Sequence, residues 1–70
     1  MRRIRVNGVE KEFLAGEFPA NLSELLEKLN VDSATVVAEV EGEIIERTKF
    51  SQTVVADGQS IELIRFVPGG

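Results

Sequence analysis

The segment VVADGQSIELIRFVPGG, residues 54–70, decides the fold because it combines a bend, a strongly apolar strand and a diglycine. Gly58 is expected to take a positive φ in the bend that precedes the strand. The strand itself is predicted over Ser60 to Val67, and its Ile61 and Leu63 require burial. We therefore expect this last strand to lie centrally in a sheet, beside the first strand of the chain.

The first strand is predicted at the amino end, as half of a hairpin. Arg2 to Val6 alternates between charged and aliphatic residues, which indicates a half-buried strand. Asn7-Gly8 follows, and this pair favours a type I′ turn because both of its central residues need a positive φ. Val9 to Phe13 alternates again and is predicted to be the returning strand.

The hydrophobic period then changes to that of a helix. Asn21 with Glu24 three residues later resembles a capping box, and Asn30 is a plausible end. The apolar stripe between them is interpreted as core rather than as a docking groove. Its members are Leu22, Leu25, Leu26 and Leu29.

A second strand pair follows the helix. Thr35 to Val40 is rich in β-branched residues, Glu41-Gly42 predicts a turn, and Glu43 to Ile45 can pair back. Residues 46–51 are expected to form a loop or a single helical turn that is held by Phe50. Two strand pairs around one helix predict a mixed sheet with the helix packed across one face.

Composition excludes several classes of function. The chain has 70 residues, enough for one domain with one small core. It has no cysteine and no histidine, which excludes disulfides, thiolate metal sites and His-based catalytic triads. A net charge of −4, with four Phe and no Trp or Tyr, argues against nucleic-acid binding. No apolar run is long enough to cross a bilayer, so we expect a cytoplasmic protein without membrane contact.

The last three residues, Pro68-Gly69-Gly70, form a tail with little steric bulk. Neither glycine has a Cβ, so backbone and carboxylate can enter a channel too narrow for a side chain. Pro68 lacks a backbone N–H and is expected to end strand pairing at the base of the tail. Fully extended, the tail reaches about 10 Å from the sheet. A frayed terminus of small residues is the alternative explanation.

These segments together carry a family resemblance. The chain resembles the ubiquitin-like β-grasp sulfur carriers over its whole length, through NLSELLEKL, VVAEVEGEII, Asp57-Gly58 and the terminal Gly69-Gly70. It is most similar to the thiamine-biosynthesis carrier family (ThiS) and more distantly to the molybdopterin synthase small subunit (MoaD). The resemblance implies an α+β fold, a ubiquitin-like β-grasp with a mixed four- to five-stranded sheet packed on one main helix. It also implies a domain over residues 1–67 and a flexible tail over residues 68–70.

The resemblance implies a carrier that is charged by a separate enzyme. An E1-like adenylating enzyme would use ATP to activate the Gly70 carboxylate, with Gly69 and Pro68 giving access. Sulfur from a cysteine desulfurase or from sulfide would then replace AMP, and the resulting thiocarboxylate would serve an acceptor synthase. No metal, permanently bound cofactor or catalytic residue is expected in this chain, which would be a substrate and not an enzyme.

The outward side of the last strand supplies candidate partner contacts. With Ile61 facing the helix, alternate residues of that strand face outward, and apolar ones near the tail would form a natural partner patch. Ordinary sheet surface or a contact between two copies is the alternative. The candidate partner-binding residues are Val37, Ile64, Phe66 and Arg65. A solvated face is the interpretation we favour for the arginines Arg3, Arg5 and Arg65.

Three classes of function are compatible with the sequence. The first is the sulfur carrier, acting in thiazole, molybdopterin or tungstopterin formation or in tRNA thiolation. The second is a protein modifier in which activated Gly70 forms an isopeptide bond with a lysine. The third is a non-catalytic β-grasp interaction module with an inert tail, since one fold serves many functions.

Overall fold

A mixed five-stranded sheet, in the order β2-β1-β5-β3-β4, forms the centre of the molecule. The computed structural model describes residues 1–67. The last strand lies in the middle of the sheet, parallel to β1 and antiparallel to β3, which confirms the predicted arrangement. The strands are β1 (Arg2–Val6), β2 (Val9–Phe13), β3 (Val36–Val40), β4 (Glu43–Ile45) and β5 (Ser60–Arg65), and the α-helix is α1 (Leu22–Lys28).

Both hairpins turn through residues in the left-handed region. Asn7 and Gly8 have φ values of 51° and 80°, and Glu41 and Gly42 have 51° and 85°. Type I′ turns need positive φ at both central residues, and their twist matches that of the strands. The two predicted turns are therefore confirmed.

Helix α1 begins and ends at the predicted residues. The side-chain oxygen of Asn21 accepts the backbone N–H of Glu24 at 2.9 Å, which satisfies one free donor of the first turn. Asn30 takes φ 59°, and the N–H of Val31 donates to the carbonyl of Leu26 at 2.9 Å. This is the Schellman geometry that ends helices after a left-handed residue.

The core lies between α1 and the inner face of the sheet. Phe50 anchors the 3₁₀ turn Arg47–Gln52 beneath the helix and is only 2% exposed, as its predicted role requires. Aliphatic side chains from the three strands β1, β3 and β5, from the helix and from Val55 complete the core, because alternate strand residues point to the same side. The buried set is Ile4, Val6, Leu22, Leu25, Leu26, Val36, Ala38, Val40, Phe50, Val55 and Ile61.

The last strand is shorter than the sequence predicts. It was expected to continue to Val67, but β5 ends at Arg65. Arg65 is the partner of Val36, the first residue of β3, and the chain before β3 is a 3₁₀ turn, Ser33–Thr35. One further hydrogen bond, from the Phe66 N–H to the Thr35 carbonyl at 2.9 Å, continues the pairing by one residue. Beyond it, the partner chain is the 3₁₀ turn and no longer an extended strand.

The predicted flexible tail, residues 68–70, lies outside the described residues and stays a prediction. Within residues 1–67, no helix has the length and apolar character needed to span a bilayer.

Candidate functional site

The two faces of the sheet differ in what covers them. Helix α1 packs on the inner face, whereas no other helix or strand among residues 1–67 covers the outer face. Because side chains alternate along each strand, the register assigns every strand residue to one face. The outer face therefore holds Arg3 and Arg5, Glu10 and Glu12, Val37 and Glu39, Ile44, and Glu62 and Ile64.

Three of the predicted partner residues meet on this outer face. Val37 lies directly opposite Ile64 in the β3–β5 ladder, so their side chains are neighbours. Ile64 is 56% exposed and Phe66, two residues further, is 44% exposed. We call Val37, Ile64 and Phe66 the outer patch. It ends one residue before Val67, the last residue that the structure describes.

Arg65 does not lie with the outer patch. Its register partner is the buried Val36, so its side chain belongs to the inner face. Arg3 is on the outer face, but its Nε is 3.3 Å from Glu12 Oε2 and 3.8 Å from Glu10 Oε2. The three arginines thus do not form one surface, and Arg3 is paired within the chain.

A pair of carboxylates borders the outer patch. Glu39 on β3 lies directly opposite Glu62 on β5, and Ile44 on β4 lies opposite Glu39 on its other side. Like charges in directly opposed positions repel, so this pairing destabilises the isolated sheet slightly. A positively charged partner residue placed between them would remove that repulsion. The sequence gives no signal of this pair, because only the strand register brings the two residues together.

The start of β5 is fastened to β1 through the bend that contains Gly58. The backbone N–H of Arg3 donates to Asp57 Oδ1 at 2.7 Å, and the Gly58 N–H donates to the Arg3 carbonyl at 2.7 Å. Gly58 has φ 85°, as predicted. Gln59 Oε1 accepts the N–H of Ala56 at 2.9 Å and closes the bend from within.

Asn7 has a second role that its turn position did not predict. Its backbone N–H donates to the Ile61 carbonyl at 2.9 Å. Its side-chain oxygen accepts the Leu63 N–H at 2.7 Å, and its side-chain nitrogen donates to the Leu63 carbonyl at 3.2 Å. The amide group therefore continues the β1–β5 ladder after β1 has turned away, and it holds the half of β5 that leads to the tail.

The described residues expose an apolar surface near the end of β5. Within residues 1–67 there is no group of three or more His, Cys, Asp or Glu that could hold a metal ion. In the same part of the chain, no polar or charged residue is buried. What the geometry presents is an exposed apolar patch with acidic neighbours at the base of residues 68–70.

Comparison with known proteins identifies the family. A sequence model of the ThiS family matches residues 4–70, which include the terminal diglycine. The chain belongs to the ThiS family. The match confirms the family resemblance noted in the sequence, and it extends from within β1 through the last residues of the chain.

Solved structures agree with this assignment. The crystal structure of thiamine biosynthesis protein ThiS from Geobacter metallireducens superposes with a TM-score of 0.79 at 38% identity, covering 97% of this chain and 99% of that one. The NMR solution structure of a thiamine biosynthesis protein from the same organism gives 0.72 at 36% identity, covering 97% and 87%. The predicted α+β, ubiquitin-like β-grasp fold is thus confirmed, with five strands and one main helix.

A curated relative connects the ThiS family chain to a larger protein. Thiazole synthase from Paramagnetospirillum magneticum is 34% identical over 68 residues, which cover 97% of this chain. The chain spans about a fifth of that relative's length, since the match covers 20% of it.

We predict that Asn7→Gly destabilises this ThiS family protein by about 1–2 kcal/mol more than Asn30→Gly does. Both positions have positive φ, so glycine fits the backbone at each of them. Only Asn7 uses its side chain to bind β5, whereas the Asn30 side chain makes no hydrogen bond within residues 1–67. Urea unfolding of the two variants measures the difference. Equal losses in the free energy of unfolding would show that the Asn7 side-chain amide adds no stability beyond the contribution of its turn.

Proposed function

We propose that the chain is a sulfur carrier for thiazole formation in thiamine biosynthesis, with the carboxylate of Gly70 as its reacting group. The observation that carries the proposal is the ThiS family match, which runs from residue 4 through Gly69-Gly70. The relatives support the pathway, since one is a thiamine biosynthesis protein, solved both by crystallography and by NMR, and another is a thiazole synthase. The chain is a substrate of other enzymes in this proposal, and ATP is consumed by the activating partner.

The proposed charging has two steps. A Gly70 carboxylate oxygen attacks the α-phosphorus of ATP in an E1-like enzyme, pyrophosphate leaves, and an acyl-adenylate forms. Hydrosulfide then attacks the carbonyl carbon, the bond to AMP breaks, and the released proton goes to solvent, which leaves a thiocarboxylate. With a cysteine persulfide as donor, the first product is an acyl disulfide, and a second thiol must reduce its S–S bond. Adenylation divides one difficult substitution into two easier ones.

The proposed role of the tail follows from its chemistry. Gly70 has no side chain to hinder the carbonyl carbon, and Gly69 lets the backbone approach the nucleotide closely. Pro68 has no N–H with which to pair with a neighbouring strand. The folded domain then stays outside the catalytic cleft while the last residues enter it.

The outer patch is the proposed docking surface for the activating enzyme. Val37, Ile64 and Phe66 present apolar area at the base of the tail, where a partner must bind to guide the tail into its cleft. The Glu39–Glu62 pair beside them favours a partner that carries an arginine or lysine at that point. Apolar contact would supply affinity, and the charge would set the orientation.

We predict that Ile64→Lys lowers the rate of ATP-dependent charging by about tenfold or more, because it buries a charge at the centre of the contact. Val54→Lys is the matched control, since Val54 is 72% exposed, lies outside the outer patch and receives the same change in charge. Initial rates of adenylate formation with the activating enzyme measure both variants. If they charge equally well, the enzyme does not dock on the outer patch.

Intact-mass spectrometry tests the proposed function. The purified chain, incubated with ATP and the activating enzyme of its host, should gain the mass of AMP less water. Addition of a sulfur source should then convert it to a species in which one oxygen is replaced by sulfur. A chain that never reacts with ATP, or that accumulates only as conjugates to protein lysines, would contradict the sulfur carrier.

A further inference from the structure

A second surface, on the inner face of the sheet, is left uncovered by the helix. Its apolar floor is formed by Val6, Val9, Leu29, Val31 and Leu63, which enclose a groove of about 380 Å³. We call this the inner groove. It lies on the opposite side of the sheet from the outer patch, so one partner cannot cover both surfaces by a single flat contact.

The groove exists because α1 is short. The helix has seven residues, and the left-handed Asn30 turns the chain away after it. The sheet continues past that point through β1 and β2, so Val9 faces inward but remains 55% exposed. A volume of this size lies within the range of natural ligand pockets.

Two cations border the inner groove, and they approach it from opposite ends. Lys11 on β2 is the register partner of Ile4, which precedes Val6 by two residues in β1. Ile61 on β5 is the register partner of Val6, and Arg65 follows Ile61 by four residues. Both line the groove. Among the described residues, no acidic side chain lines it, and neither cation forms a salt bridge. In a chain of net charge −4, the groove is therefore a local basic and apolar site.

We propose that the inner groove binds a short segment of a protein partner that has aliphatic residues in its middle and a carboxylate near each end. The aliphatic side chains would cover the valine and leucine floor, and the carboxylates would meet Lys11 and Arg65. This assigns a role to Arg65, which the outer patch does not use. The inference does not rest on the proposed function, because binding in the groove involves neither ATP nor the tail.

A second copy of the chain is the less favourable occupant. Copies with a net charge of −4 repel one another in solution. The acidic and aliphatic strand Glu43–Ile45 of a second copy could enter the groove in a head-to-tail contact, which leads to rings or to open chains of molecules.

The test uses the whole chain, labelled with ¹⁵N, and two synthetic peptides. The probe has the sequence Asp-Leu-Val-Leu-Glu, and the control Lys-Leu-Val-Leu-Lys has the same aliphatic centre with opposite charge. The probe should shift the amide signals of Val6, Val9 and Leu63 and leave Val37 and Ile64 unchanged. The control peptide should shift none of them.

Charge reversal at the two groove cations distinguishes binding in the inner groove from a general effect of the net charge on binding. Lys11→Glu combined with Arg65→Glu should weaken the probe by about tenfold, because each exposed pair changes from attraction to repulsion. Arg47→Glu combined with Lys49→Glu changes the net charge equally at exposed positions outside the groove, and it should weaken the probe by no more than about twofold. Added salt should weaken binding to the parent chain and not to the Lys11/Arg65 variant.

Three results would overturn the proposal: equal effects of the two double variants, shifts confined to the outer face, or a molecular size that grows with protein concentration and falls in the Lys11/Arg65 variant. The last would assign the groove to a second copy of the chain. Failure of ATP-dependent charging would leave this inference intact, because peptide binding is measured without it.

Discussion

Deletion of Gly70 should lower ATP-dependent charging of the chain by on the order of 10²-fold or more, while the domain stays folded. The deletion withdraws the carboxylate by about 3.5 Å, and misplacement of a reacting atom by even 1 Å can have an effect of this size. In the part of the chain that the structure describes, residues 1–67, no buried core residue lies beyond Ile61, so the deletion is expected to leave the core complete. Adenylate formation, followed by intact-mass spectrometry under single-turnover conditions, is the measurement.

Two glycine-to-alanine variants distinguish the effect of tail length on charging from the effect of side-chain bulk at the tip of the tail. Gly70→Ala keeps the length of the tail and adds one methyl group, so a smaller loss of charging is expected. Gly16→Ala is the matched control, because a Cβ at Gly16 meets no atom within 4 Å and its backbone does not require glycine. Normal charging of the Gly70 deletion would refute the carrier mechanism. Normal charging of Gly70→Ala alone would show that the channel tolerates a side chain.

Phe50→Ala should destabilise the fold by about 3–5 kcal/mol, the largest effect expected for any single side chain here. Phe50 is 2% exposed and is the largest fully buried side chain, so its removal leaves a cavity beneath α1. A domain of 70 residues is stabilised by roughly 4–10 kcal/mol in total. A substantial unfolded population is therefore expected, with denaturation by urea as the measurement.

Phe66→Ala provides the matched control for that change. The same ring is removed, but Phe66 is exposed on the outer face and is not among the residues that form the core or pack against it. Its loss should change the stability by less than about 1 kcal/mol and instead slow charging by the activating enzyme. Comparable destabilisation by the two variants would mean that the outer patch is structural and not a docking surface.

The elements of the fold were predictable because their signals are local. Asn7-Gly8 specified a hairpin through backbone conformation, and the leucine stripe specified which side of the helix is buried. The predicted β5 was two residues too long, because a strand ends where its partner strand ends. The partner strand β3 begins at Val36, and the residues of the last strand contain no signal of that limit.

The candidate site was predictable only in part. Alternation placed Ile64 and Phe66 outward, and the structure added that Val37 lies directly opposite Ile64. Arg65 was grouped with them, although its register partner is the buried Val36. Its role as a partner contact stays a prediction, now for the inner groove. The functions of the tail residues Pro68, Gly69 and Gly70 also stay predictions, to be decided by the charging experiments.

Sequence alone determined the order of the elements, the turns and the buried stripe of the helix, because each depends on residues close together in the chain. It also indicated the family, because the motifs that carry the resemblance are read directly from the residues. The tertiary structure decided which distant residues meet. It placed Glu39 against Glu62, joined the Asn7 side chain to Leu63, and left Lys11 and Arg65 at the two ends of one groove. These relations depend on the register between strands that are far apart in sequence, and register is set by packing of the whole sheet rather than by any single segment.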